Sequence, residues 1–327
     1  MNINYFRGAT LVAAVLIGGP ALAQAPGASG YPVKAVRVIV SYAPGGATDI
    51  VARLVAQKLT ERMGRSFIID NVTGAGGVIG DSAVARAAPD GYTLLGTSST
   101  FAINPAVVAK LPFDPIKGFT PIALVARAPF MLVVHPSVPA KSVRELVALA
   151  KANPGKLDYA SAGQGTAVHL AVELFCSMAS VKMMHIPYKG SGLALIDLLS
   201  GQVQLTFANV LSSRAHVQSG RLRALAVSSA KRSAVLPELP TVSESGVPGY
   251  DTASWYGYLA PSGTPQPIVQ RLNAEIIHGI KSPDMSERLA TDGAEPAGGT
   301  PDDFGQFVAS EIMRWRTVVQ AASIRLQ

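Results

Sequence analysis

The groups best placed for chemistry in this chain are glycines and hydroxyls rather than acids, bases or thiols. Residues 44–49 read PGGATD, 71–77 NVTGAGG, 97–100 TSST, 161–166 SAGQGT and 187–192 PYKGSG, and residues 208–209 are AN. Each run follows a short apolar stretch and precedes a helix. Small residues let backbone N–H groups approach a ligand, and a helix N-terminus adds partial positive charge, so these runs suit capture of an anion. Any one run is equally readable as a tight turn with no ligand. Their recurrence argues for a site.

Other chemistry finds little support. The chain has no Gly-x-Ser-x-Gly elbow for a hydrolase nucleophile and no Walker A run. Residues 74–80 (GAGGVIG) match a dinucleotide fingerprint only loosely, with the third glycine displaced. The histidines His135, His169, His185, His216 and His278 form no ligand-spaced set, so no metal and no cofactor is expected. His169, one turn into the helix after residues 161–166, either touches a ligand or holds the loop, the structural role being favoured. Tyr188 and Lys189 either offer a phenol and a cation to a site or form a solvated turn. The lone Cys176 lies in a helical pattern and reads as a buried inert thiol. Asp302 and Asp303 suit the start of the last helix. Trp255 and Trp315 read as core or lobe-interface residues rather than stacking platforms.

The elements that position these loops follow from periodicity. Val36, Val38, Ile39 and Val40 make a buried strand, which Pro44, Gly45 and Gly46 break. Thr48 and Asp49 are good N-cap types, and Ile50, Val51, Leu54, Val55 and Leu59 fall at helical spacing. Further strands are expected at 66–70, 92–96, 121–126, 130–135, 157–160, 181–186, 203–207, 222–227 and 255–260. Helices are expected at 78–88, at 142–152 with a Ser142/Glu145 capping box, from about 167, and at 193–200, 265–280 and 301–322. This alternation argues for parallel α/β sheets with ligands at the carboxyl ends of the strands. The consecutive strands 121–126 and 130–135 suggest a passage between two lobes, and a second crossing makes a hinged clam.

The 327 residues, 48% hydrophobic and 15% charged, supply two ordinary cores. A net charge of +7, spread along the chain without a dense Lys/Arg run, favours anionic partners but not nucleic acid. Met1 to Arg7 is basic, residues 9–19 are apolar, and Ala21-Leu22-Ala23 is a small-x-small cleavage site, so residues 1–23 read as a signal peptide cut near Ala23/Gln24. Export with one cysteine suggests a bacterial periplasm.

Taken together, PGGATD at 44–49, GAGG at 74–77, PDGYT at 89–93, SAGQGT at 161–166, HIPYKG at 185–190 and PTVSESG at 240–246 resemble the tripartite tricarboxylate transporter substrate-binding receptors, the Bug proteins. The likeness runs in order through the whole mature chain. It implies an α/β fold of two Rossmann-like lobes with a hinge, periplasmic binding protein type II-like (a Venus flytrap). Residues 31–126 plus 251–327 would form one lobe and 127–250 the other. It implies a monomer that closes on a small organic carboxylate and delivers it to the small and large membrane permease subunits. Carried over, the first-lobe contacts are Tyr42, Gly46, Ala47, Thr48, Asp49 and Ser98. The second-lobe contacts are Ser161, Gly163, Gly165 and Thr166, with His169 behind them, and Asn209. Many members carry an aspartate before that asparagine; here it is Ala208. The loss of that acid suggests a ligand without an amine: a dicarboxylate, a hydroxycarboxylate or an aromatic acid. A ligand-sensing co-receptor for a membrane signalling protein would use the same site. An exported enzyme would need a nucleophile, base or metal set that the sequence does not offer.

Overall fold

The computed structural model describes Met1, residues 30–291 and residues 293–321. The expected leader and its cleavage point, Met1 apart, lie outside the described residues.

Strand β1 (Val36–Val40) is an interior strand of the first sheet. Its Val36, Val38, Ile39 and Val40 are wholly buried. It pairs in parallel with β2 (Phe67–Asn71) on one side and β3 (Thr93–Ser98) on the other. Helix α1 (Ala47–Met63) covers it with Val51, Val55 and Leu59, the burial of each contributing about 1.5–3 kcal/mol. It ends where Gly64 turns left-handed and gives its N–H to Thr60. A short 3-10 turn (Ala75–Gly77) leads into α2 (Val78–Ala85), and β3 leads into α3 (Thr100–Val107).

Strand β4 (Phe119–Val134) is one continuous strand of 16 residues where two were expected. Its residues 119–129 pair with β9 (Ala253–Pro261), and its residues 130–134 pair with β7 (Leu205–Asn209). The strand passes from one sheet into the other without a turn, because Pro129 stays extended and in register with Ala253. The second sheet also holds β5 (Asp158–Ser161), β6 (Met184–Pro187) and β8 (Arg223–Val227). It is wrapped by α4 (Val143–Ala152), α5 (Ala167–Ala179), α6 (Ser191–Leu199) and α7 (Val210–Gln218). Ser142 caps α4 as expected, accepting the Glu145 N–H while Glu145 accepts that of Lys141.

The chain then returns through β9, α8 (Gln266–Ile280), α9 (Pro283–Thr291), β10 (Glu295–Pro296) and α10 (Pro301–Ala321). The strand order is β2-β1-β3-β9-β4-β7-β5-β6, with β8 and β10 both on β4. The sheets are mixed rather than parallel: β9 runs antiparallel to β3 and β4, and β4 antiparallel to β7 and β8. These are the strands that cross and return, so they reverse direction while the βα units beside them stay parallel. Helix α10 packs Phe304, Val308 and Ile312 against Trp255, and its Trp315 joins the core of the other sheet. Cys176 is buried on α5, its thiol pushed up to about 12 by burial and the nearby Glu173.

Candidate functional site

Helix N-termini from both sheets converge on one cleft. Its lining includes Gly46, Ser99, Thr166 and Asn209, which are the N-cap residues of α1, α3, α5 and α7, and Ser191, the first residue of α6. The first-turn amides of an α-helix have no intrahelical acceptor, and here several helix starts face one open cleft. Among the described residues no Lys, Arg, His, Asp or Glu lines this part of the cleft. Hydroxyls do: Tyr42, Thr48, Ser98, Thr100, Ser254 and Tyr256. Lys189 stands only at the wider mouth, which shares Tyr42, Gly46 and Asn209 with the inner part.

Among the expected contacts, Tyr42, Gly46, Ala47, Thr48, Ser98, Thr166 and Asn209 line the cleft. Ser161 lies in a small adjoining crevice with Ala208 and Asn209. Asp49, Gly163, Gly165 and His169 lie outside both linings.

Asp49 needs a correction of role. Helix α1 starts at Ala47 with Gly46 as its N-cap, so Thr48 and Asp49 stand inside the first turn rather than capping it. The buried Asp49 carboxylate accepts from the Gly45 N–H, Arg53 Nε and Asn71 Nδ2, each at 2.9 Å. Burial opposes its charge, but the bonds from Arg53, Gly45 and Asn71 outweigh it and hold the carboxyl below its ordinary value. Asp49 is therefore committed to shaping the 44–49 loop.

The 161–166 loop is wound by its own bonds. Gly163 and Gly165 sit at φ 131° and 76°, where other residues are strained. A Cβ on Gly163 would also come within 3.2 Å of the Tyr188 carbonyl. The Thr166 hydroxyl donates to the Gly163 carbonyl at 2.7 Å, and the Gly165 N–H donates to His169 Nδ1 at 3.1 Å. That amide is engaged within the loop, and the φ of Gly165 bends the chain there. Ser161 Oγ is engaged in turn with His185 Nε2 at 2.6 Å.

Behind this loop His169 and His185 stack with ring centroids 4.0 Å apart, and Tyr159 stacks on His185 at 4.9 Å. Burial and then the neighbouring His185 push His169 down to about 3, and burial pushes His185 down to about 4. Both rings are therefore neutral near pH 7, and a neutral His169 offers the Nδ1 acceptor that Gly165 needs.

Sequence reasoning did not name Ser191, Phe130, Ser254 or Tyr256 as contacts, and it gave no range for the helices α3 and α7 that follow residues 97–100 and 208–209. Strand alternation would have separated Ser254 and Tyr256, which face the cleft, from the core residue Trp255 between them. Phe130, an apolar residue in an apolar strand, carries no such signal.

Two α/β lobes joined by a shared strand, with helix N-termini closing on a cleft between them, define a type II-like periplasmic binding protein. The model of the TctC family, the tripartite tricarboxylate transporter family receptors, matches residues 51–324, and the chain belongs to that family. It is 37% identical to protein BugT of Bordetella pertussis over 97% of this chain and 98% of that one. Rpa4515 of Rhodopseudomonas palustris, solved with adipate, superposes with a TM-score of 0.86 at 41% identity, over 90% of this chain and 99% of that one. MatC of the same organism, solved with bound malate, gives 0.82 at 34% identity, over 88% and 100%. Among the described residues no helix is long and apolar enough to cross a membrane.

Proposed function

We propose that this chain is a periplasmic receptor that captures a small organic carboxylate between its lobes and delivers it to the permease subunits of a tripartite tricarboxylate-type transporter. The observation that carries the reading is the convergence of helix N-termini on a cleft lined by hydroxyls and, among the described residues, by no charged side chain. Such a site neutralises a carboxylate with amide hydrogens and dipoles alone. The adipate and malate complexes of the relatives support this ligand class. The lobes would be residues 31–126 plus 251–327 and residues 127–250, a division supported by the change of sheet within β4. Tyr42, Gly46, Ala47, Thr48, Ser98, Thr166 and Asn209 would touch the ligand, with Ser161, Gly163, Gly165, His169 and Asp49 shaping the loops. Lobe closure follows if the ligand binds the closed form more tightly than the open one.

A thermal-shift screen of residues 24–327 against C4 to C6 dicarboxylates, citrate, glutamate, aspartate, benzoate and phthalate tests the ligand class. At about 100 times its Kd a ligand adds roughly 2.7 kcal/mol, enough to raise the midpoint by several degrees. Stabilisation by at least one acid is expected. With sugars and amines added to the panel, stabilisation by one of them and by no acid would overturn the reading.

A further inference from the structure

A buried carboxyl stands under the cleft and is used by nothing described above. Asp81, on α2, is fully buried. Its Oδ1 accepts the Ser41 hydroxyl at 2.6 Å, and its Oδ2 has no hydrogen-bond partner among the described residues. Ser41 immediately precedes Tyr42, which lines the cleft. Helix α2 is pressed hard against this segment: a Cβ on Gly80 would meet Ser41 Oγ and the Val72 carbonyl at 2.6 Å each. The Tyr42 hydroxyl is buried near those of Ser98, Thr97 and Thr100, in hydrogen-bond geometry with none of them, and it feels the charge of Asp81.

We propose that Asp81 couples ligand binding to a proton: an anion that enters the cleft is accompanied by a proton taken from solvent onto the buried Asp81 carboxyl. The inference rests on the carboxylate reading above and adds a partner to it. An anion beside Tyr42 and an ionised Asp81 beneath it are like charges, and Asp81 is fully buried, where screening by solvent is weak. Among the described residues the inner cleft offers no cationic side chain to offset the pair. Protonating Asp81 removes the repulsion.

The surroundings leave Asp81 as the group that responds. Apart from Asp81, α2 has no ionisable residue, and the 3-10 turn, α3 and β3 have none. Strand β1 contributes Arg37, which is paired with Asp70 at the exposed sheet edge. Strand β9 contributes the phenols of Tyr256 and Tyr258. Burial pushes Asp81 up to about 7, against the opposing bond from Ser41. A bound anion moves it further in the same direction. The ligand then prefers the protonated protein, so affinity is highest below neutral pH and falls as pH rises through the free and then the bound midpoint.

The test is a carbon-13 NMR titration of the mature protein carrying labelled aspartate, from pH 4 to 9, with and without adipate. Asp81→Asn assigns the resonance. The Asp81 carboxyl is expected to titrate near neutrality in the free protein, with a midpoint higher by at least about half a pH unit in the presence of adipate, roughly a threefold change in affinity across the window. Calorimetry at pH 7.5 in phosphate and in Tris provides a second readout that needs no variant. A fractional proton uptake per adipate is expected, and it vanishes in Asp81→Asn while binding persists. Titration of Asp81 below about pH 5 overturns the proposal whatever binds. So does a midpoint that stays fixed while other resonances report adipate binding. Silence of every resonance toward adipate and the other acids overturns the carboxylate reading itself, and the coupling with it.

Discussion

His169 Nδ1 accepts the amide hydrogen of Gly165, 3.1 Å away and one turn before it in the chain. This bond ties the buried ring to the loop that starts α5, and it requires the neutral imidazole. His169→Ala leaves a buried N–H without its partner, which costs about 1–3 kcal/mol of stability, and it frees the loop, so ligand affinity falls as well. His169→Asn places an oxygen near the position of Nδ1 and is expected to recover part of both. Urea unfolding and ligand titration of the two variants check this. Equal losses in Ala and Asn would contradict it.

The two stacked histidines set the acid limit of stability. Their folded values, about 3 and about 4, lie below the ordinary 6.5. Between those limits the unfolded chain binds protons that the folded chain refuses. Their contribution is thus fully present above pH 6.5 and is lost as pH falls toward 4 and then 3. His169 sets a slope of up to about 1.4 kcal/mol per pH unit, and the less buried His185 adds a smaller share. Asp81 works the other way. Its folded value of about 7 lies above the ordinary 3.8, so its contribution is present at low pH and is lost as pH rises from about 4 to 7. Asp81→Asn is expected to steepen the rise of stability with pH between 4 and 6.5. An unchanged slope in chemical denaturation would refute the assignment.

Asp49 gathers Gly45, Arg53 and Asn71 around one carboxylate. Asp49→Ala is expected to cost about 2–3 kcal/mol, since it strips charge-assisted bonds from a buried loop, and to weaken ligand binding through the displaced Ala47 and Thr48 amides. Its partner Arg53 is half-exposed at 51%, so Arg53→Ala should cost under about 1 kcal/mol. A larger effect in Arg53→Ala than in Asp49→Ala would reverse this ranking.

Ala208 lines the crevice beside Asn209 and Ser161. Ala208→Asp introduces a carboxylate next to the proposed carboxylate site. Affinity for a ligand without an amine should fall at least about tenfold, roughly 1.4 kcal/mol, while glutamate or aspartate loses less. An unchanged ligand profile would remove Ala208 from the account of specificity.

The loops and their βα units were legible because their physics is local. Glycine at positive φ, β-branched strands and the apolar stripe of α1 all sit within a few residues of one another. The roles that escaped depend on distant partners. Asp49 reads as a cap, but Asn71 and the Gly45 amide claim it. Gly165 reads as an amide donor, but His169 takes its hydrogen. Helix α3 was hidden by Pro105 and its eight-residue length, and α7 by a polar sequence with no apolar stripe. The continuity of β4 through Pro129 depends on Ala253, more than a hundred residues away.

Calorimetric titration of the mature protein with adipate, malate, citrate, glutamate and benzoate at low and at physiological salt tests the central claim most directly. Saturable binding of at least one acid is expected, at one ligand per chain and with modest salt dependence, because amides and dipoles inside the cleft do the neutralising. Ala47→Pro, which removes a first-turn amide at the first position of α1, where proline is tolerated and no cleft hydroxyl is lost, should weaken it about tenfold. Tight binding that survives the loss of that amide, or no binding of any acid, would contradict a carboxylate site built from helix N-termini.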